Sequence, residues 1–415
     1  MKNTRNNTVD IIRGFAMLLV VLGHTMSGST SEFQDSLLFQ VIWTLQMPLF
    51  IIISGYVTRY SRPLVDVAGL LKFIKKRSLA YLMPWAVWTL VVRAAIFGKT
   101  QYFNPEFLFW QTDSGYWFLL TIWTIAMVFG VADLLSNKIA KDKKIVNIFL
   151  HLAFCGIGMI VLGAIGYVLG LSFLGIKLTL YYLPIYLIGY LYGQLQDSLM
   201  AKSYSKSLVN VTIAVCLGLW LSIINRVDFF GGADTLVMII FRFITSILGC
   251  TAIIGIFTSL FNGGGYFAHA QLGRSSLAGS LSQPLPSTQP LSHGAVASTN
   301  VVERNHVADH QLPNNGFADI TSNQSSATQP DIELHHVRET KPANFLKWTG
   351  VHSLEIYLIH GFSLCLLKLT EPPMMHSWQS WCLIVVDFII AVTLSIMYIR
   401  IIESNKLLNK MLFWK

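Results

Sequence analysis

The stretch "VDIIRGFAMLLVVLGHTMSG" (Val9 to Gly28) is apolar enough to cross a bilayer, yet it carries an acid, a guanidinium and an imidazole at Asp10, Arg13 and His24. An ionisable side chain at membrane depth costs about 3 kcal/mol or more unless it faces protein, water or a partner, so each one marks a candidate site. Asp10 and Arg13 are three residues apart, the spacing of a pair on one helix face. Arg13 and His24 are eleven apart, which on an α-helix leaves an angular offset of about 20° and an axial separation of about 16 Å. An imidazole titrates near neutral pH and serves as a general base. A guanidinium binds phosphates and carboxylates. The spacing therefore puts a base and an anion-binding group on one face of one helix. A late stretch, "GVHSLEIYLIHG", adds His360, with Glu355 five residues earlier and about 140° away around the axis. Glu355 could meet a cation on a neighbouring helix, with Arg93, Arg242 and Arg400 available in other segments.

Two further features fall at helix ends. "FIKKRSLAYLMP" (Phe73 to Pro84) sets Lys75, Lys76 and Arg77 where a helix enters the membrane, and Pro84 is expected to bend that helix. The cluster satisfies the positive-inside rule and also suits an anionic cytoplasmic ligand such as a nucleotide phosphate. "QMPLFIIISGYV" (Gln46 to Val57) predicts a helix broken at Pro48 and at Ser54-Gly55. Irregular backbone at membrane depth is tolerated where it is buried or lines a cavity, so a cavity is expected there.

The elements that must position these groups are membrane helices. The 415 residues are 53% hydrophobic and 12% charged, too apolar for an ordinary soluble globular protein. Apolar runs of about spanning length lie near 9–27, 38–57, 79–97, 115–135, 145–169, 178–194, 208–224, 235–260, 344–369 and 378–402. The expected class is therefore all-α: a polytopic membrane protein of about ten helices, since open strands leave backbone groups unpaired in lipid. Lys and Arg crowd alternate connections, and only Lys99, Lys177 and Arg226 fall in the others. This asymmetry places both termini in the cytoplasm, within an integral plasma (cell inner) membrane protein. The net charge of +9 follows from that topology, and nucleic-acid binding is not implied. The first apolar segment has no small-residue cleavage site and is expected to stay as a signal anchor.

Between the helices numbered eight and nine in this order the composition turns to Ser, Gln, Asn, His, Pro and Gly, which predicts a long disordered cytoplasmic loop. The organisation is a membrane domain over 1–261, a polar insert over 262–343, and the remaining helices with a cytoplasmic tail over 344–415. The insert holds six of the eleven histidines (His269, His293, His306, His310, His335, His336), at irregular spacing and without cysteines, so no metal is expected. All five cysteines lie in apolar segments at no shared spacing and read as small core residues. Asp387 and His151 also lie in apolar runs, with no role specified around them.

Taken in order, "DIIRGFAMLLVVLGH", "MPLFIIISGY", the "KKR…P" helix entry, "YWFLL" (Tyr116 to Leu120) and "SLEIYLIH" (Ser353 to His360) resemble acyltransferase family 3, integral membrane enzymes that O-acylate sugars and other surface molecules. "YYLPIYLIGYLYG" (Tyr181 to Gly193) is similar to the sugar O-acetylase branch. The resemblance implies ten core helices, acyl-CoA (acetyl-CoA by family default) as cytoplasmic donor, and a hydroxyl acceptor on a cell-surface or lipid-linked saccharide. It also implies that Arg13 and His24 are functional and that Arg77 lies in a donor-associated region. Three departures stand out. Ala80 replaces a second arginine common in that region, the 262–343 insert is far longer than usual, and no hydrolase-like domain follows the last helix.

Acyl transfer from a thioester to an alcohol needs a base and positive charge or hydrogen-bond donors for the oxyanion. His24 is expected either to deprotonate the acceptor or to carry the acyl group briefly. Arg13, with Lys76 and Arg77, would hold the donor. His360, Glu355, Asp10 and Ser54 would complete the polar site. The rival class is a transporter of sugars or lipid-linked saccharides, against which the two halves show no repeat. A non-catalytic scaffold recruiting a partner through the insert is the third reading.

Overall fold

The computed structural model describes residues 6–98, 100–111, 116–140, 143–201, 206–224, 235–261, 340–367, 373–375 and 377–413. Over these the chain is helical, joined by turns and by one isolated bridge between Ser31 and Met374. The insert histidines named above lie outside the described residues.

Helix α1 (Asn7–Ser29) starts where the Asn6 side chain accepts from the backbone N–H groups of Thr8 and Val9 at 3.0 and 3.4 Å. That cap satisfies two of the donors a helix start leaves orphaned, and Asp10 in the first turn suits the positive end of the dipole. After a short turn α2 (Leu37–Val57) returns. Next comes α3 (Val67–Ala86), capped by the Asp66 side chain on Gly69 N–H at 2.7 Å. It passes through a π-helical stretch at Val87–Val92 into α4 (Arg93–Phe97). The irregular stretch follows Pro84 directly, so the expected disturbance takes the form of a widened turn. The short α5 (Pro105–Trp110) precedes α6 (Trp117–Ala140), α7 (Lys144–Leu169), α8 (Ile176–Ala201), α9 (Lys206–Ile224) and α10 (Leu236–Phe261). After the insert come α11 (Lys341–Val351), α12 (Ser353–Leu367), α13 (Trp378–Ser404) and α14 (Lys406–Phe413). Among the described residues nine helices are long and apolar enough to span a membrane, and α12 is a shorter apolar helix.

Three expectations change. The segment 344–369 is two helices, broken at His352 (φ −101°, ψ 21°). There the imidazole Nδ1 donates back to the Trp348 carbonyl at 2.9 Å, the ring stacks on Trp348 at 4.3 Å, and Nε2 lies 3.2 Å from Glu403 Oε1. The second helix runs unbroken through Pro48 and Ser54-Gly55. Gly55 serves close approach instead: a Cβ there would collide with the Tyr186 carbonyl of α8, and one on Gly189 with the Ile52 carbonyl of α2. Gly14 of α1 and Gly350 of α11 meet in the same way, each against the other helix's backbone. Lipid gives no hydrophobic drive for helix association, so such backbone-to-backbone packing has to supply it. The tail helix α14 is tied to the stretch after α3, where Trp88 Nε1 donates to the Leu412 carbonyl at 3.0 Å. Of the cysteines, Cys155 and Cys250 are core residues while Cys365 and Cys382 are exposed.

Candidate active site

α1 is continuous from Asn7 to Ser29, so the offset of about 20° and the rise of about 16 Å between Arg13 and His24 hold in the folded chain. α12 packs beside α1 and brings His360 to His24, with ring centroids 5.1 Å apart and planes at 38°. Met17, Val20 and Val21 of α1 pack in one buried cluster with Ile356, Tyr357, Leu358 and Ile359 of α12, which fixes the facing of the two imidazoles. A carbonyl can only accept, so His360 Nδ1 donates to the Ile356 carbonyl at 3.0 Å. Its neutral form then carries the lone pair on Nε2. His360 is buried.

His24 differs. The residue is exposed, where His360 is buried. Among the described residues the His24 ring makes no hydrogen bond. Two buried polar groups that sequence reasoning missed lie on the neighbouring elements. Gln46 of α2 is buried with Oε1 unpartnered among the described residues, and that oxygen would lie 3.1 Å from a Cβ on Gly23. Ser363, one turn beyond His360, is fully buried with an unpartnered Oγ. Their signals were a lone amide before Met47-Pro48 in an apolar run, and a hydroxyl three residues after His360. A third pair closes α1 to α13: Ser29 Oγ donates to Asp387 Oδ2 at 2.6 Å, both buried.

The remaining expected residues are placed as follows. Arg13 is half-buried and Asp10 is buried beside the Gly14–Gly350 crossing. Glu355 is buried in the first turn of α12. Arg400 lies over the Trp348 ring at 5.5 Å, while Arg93 bonds the Tyr102 hydroxyl. Ser54 is half-buried beside the Gly55 crossing. Lys76 and Arg77 part company: Lys76 is exposed, whereas Arg77 is half-buried over the Phe73 ring (5.3 Å) and bonded to the Tyr81 hydroxyl (3.3 Å). The structure thus brings together His24 and His360, and sets Lys76 on a different face from Arg77.

The arrangement can hold a reacting hydroxyl against an exposed imidazole, with a second imidazole 5.1 Å away. Residues 6–285 match the model of acyltransferase family 3, described as an acyltransferase domain. Arg13, His24, Gln46 and Arg77 fall inside that match, and Glu355 and His360 lie beyond it. The chain is also similar to Nodulation protein NolL of Sinorhizobium fredii, at 28% identity over 156 residues. That likeness covers 35% of this chain and 42% of the relative, so the chain spans less than half the relative's length. No solved structure matches.

Proposed function

The chain belongs to acyltransferase family 3, and we propose that it moves an acyl group, acetyl by default, from cytoplasmic acyl-CoA to a hydroxyl of a cell-surface or lipid-linked saccharide. The observation that carries this reading is the imidazole pair, exposed His24 with its ring centroid 5.1 Å from that of buried His360. His24 takes the proton of the acceptor hydroxyl as its oxygen attacks the thioester carbonyl. The tetrahedral intermediate then collapses, the C–S bond breaks, and the departing CoA thiolate recovers the proton from the imidazolium. His360, its Nδ1 tied to the Ile356 carbonyl, orients the acceptor through Nε2. Arg13, about 16 Å toward the start of α1 on the same face, holds the anionic part of the donor. Arg77, with its side chain fixed on Phe73 and Tyr81, is the second donor-side cation, and exposed Lys76 contributes long-range attraction only.

Mass spectrometry of surface glycans from cells with and without the protein tests the reading, because the mass difference names both acyl group and acceptor. Release of CoA thiol by the purified protein in the presence of the acylated glycan's precursor is the expected companion result. A transporter would move the saccharide and release no thiol.

A further inference from the structure

A second polar site lies away from the histidine pair. The ends of α2, α6 and α8 and the start of α7 surround a cavity of about 320 Å³, none of whose lining residues belongs to α1 or α12. Arg59, Arg62 and Lys144 converge on it against one carboxylate, Asp133. The positive-inside rule accounts for cations at helix ends. It does not account for their convergence on a concavity, where low-dielectric walls focus the field on an anion.

The wall is built rather than loose. Asp133 Oδ2 accepts from the Leu64 N–H at 2.8 Å, Asn137 Nδ2 donates to the Leu64 carbonyl at 3.0 Å, and Asn147 Nδ2 donates to Asn137 Oδ1 at 2.6 Å. These bonds pin the connection between α2 and α3, which carries Arg62, against α6 and α7. The apolar side is Phe129 and Tyr190, held from behind by His151 at ring distances of 4.4 and 4.6 Å. A lone phosphate would leave much of this volume empty, since organic ligands occupy sites from about 300 Å³ upward. Asp133 Oδ1 remains as an acceptor at 3.9 Å from His151 Nδ1, suited to a ligand hydroxyl.

We propose that this cavity binds a small phosphate ester whose organic part carries hydroxyl groups. The phosphate lies among Arg59, Arg62 and Lys144, and a hydroxyl donates to Asp133. That chemistry comes from two sources, a soluble nucleotide or the headgroup of phosphatidylglycerol. The site does not depend on the acyl-transfer reading.

The test uses the full chain in phosphatidylcholine nanodiscs with AMP as soluble probe, followed by calorimetry, and in nanodiscs doped with phosphatidylglycerol, followed by native mass spectrometry. One probe is expected to bind, and which one names the source. The double variant Arg62→Gln/Lys144→Gln, at two exposed positions, is expected to lose at least tenfold in affinity with its melting temperature kept, while Arg62→Lys/Lys144→Arg restores binding. Absence of binding by both probes overturns the proposal. Equal binding by wild type and double variant overturns it as well.

Discussion

Two histidines of this helical bundle, His151 and His24, have surroundings that differ in kind. His151 of α7 is fully buried, with Phe129 and Tyr190 against its ring and Asp133 at 3.9 Å. His24 of α1 has another imidazole at 5.1 Å, makes no ring hydrogen bond among the described residues, and is exposed. A ring packed between aromatic faces holds helices together through dispersion. A ring with an open side and no hydrogen bond can take a proton from whatever reaches it. Both residues are single imidazoles in apolar runs, so what separates a structural from a chemical histidine here is which helix faces it.

The contrast breaks most sharply under paired substitution. His24→Ala is expected to lower acyl transfer by about 10²- to 10⁴-fold with insertion and thermal stability kept, the usual size of a general-base contribution. His151→Ala is expected to do the reverse, costing roughly 2–5 kcal/mol of stability by leaving a cavity, while the folded fraction keeps its turnover. Equal turnover of the two variants in a thiol-release assay would erase the distinction.

Next in size is Arg13. Loss of one charge-assisted hydrogen bond, about 1.5–3 kcal/mol, predicts that Arg13→Ala raises the apparent Kd for acyl-CoA by roughly 10- to 100-fold. An unchanged Kd would detach Arg13 from the donor. Ser29→Ala then tests how firmly the open end of α1 is held. It strands the Asp387 oxygen that accepts the 2.6 Å bond, and a loss of about 1–3 kcal/mol is expected in thermal unfolding. The smallest effect separates neighbours: Lys76→Gln is expected to change the KM for acyl-CoA by less than about twofold. Arg77→Gln, which also loses ring contacts worth about 0.5–1 kcal/mol, is expected to change it more.

Much of this was legible in the chain. Hydropathy placed the spans, and the eleven-residue separation of Arg13 and His24 set their shared face because α1 has no proline or break to spoil the arithmetic. His360 was marked by its depth, but its approach to His24 comes from α12 packing on α1, a contact between residues far apart in sequence that periodicity cannot express. Pro48 and Ser54-Gly55 misled because proline and glycine usually mark irregularity. In lipid a glycine equally permits close helix contact, and α8 meets α2 at Gly55 and Gly189. The break at His352 was hidden for a related reason, since it arises from a side chain bonding back to the Trp348 carbonyl and meeting Glu403 fifty residues on. Gln46 carried only the faint signal of one amide in a greasy run, and Gly23 of α1, having no side chain, leaves room for it.

The account turns on the open side of the His24 ring, and thiol labelling reads that side directly. In a background with the five native cysteines replaced, His24→Cys and His151→Cys are each exposed to a membrane-impermeant thiol reagent, with and without acyl-CoA. The expected result is rapid labelling at position 24, slowed by acyl-CoA, and none at position 151. Protection of position 24 from the reagent in both conditions, with the protein correctly inserted, would contradict the account.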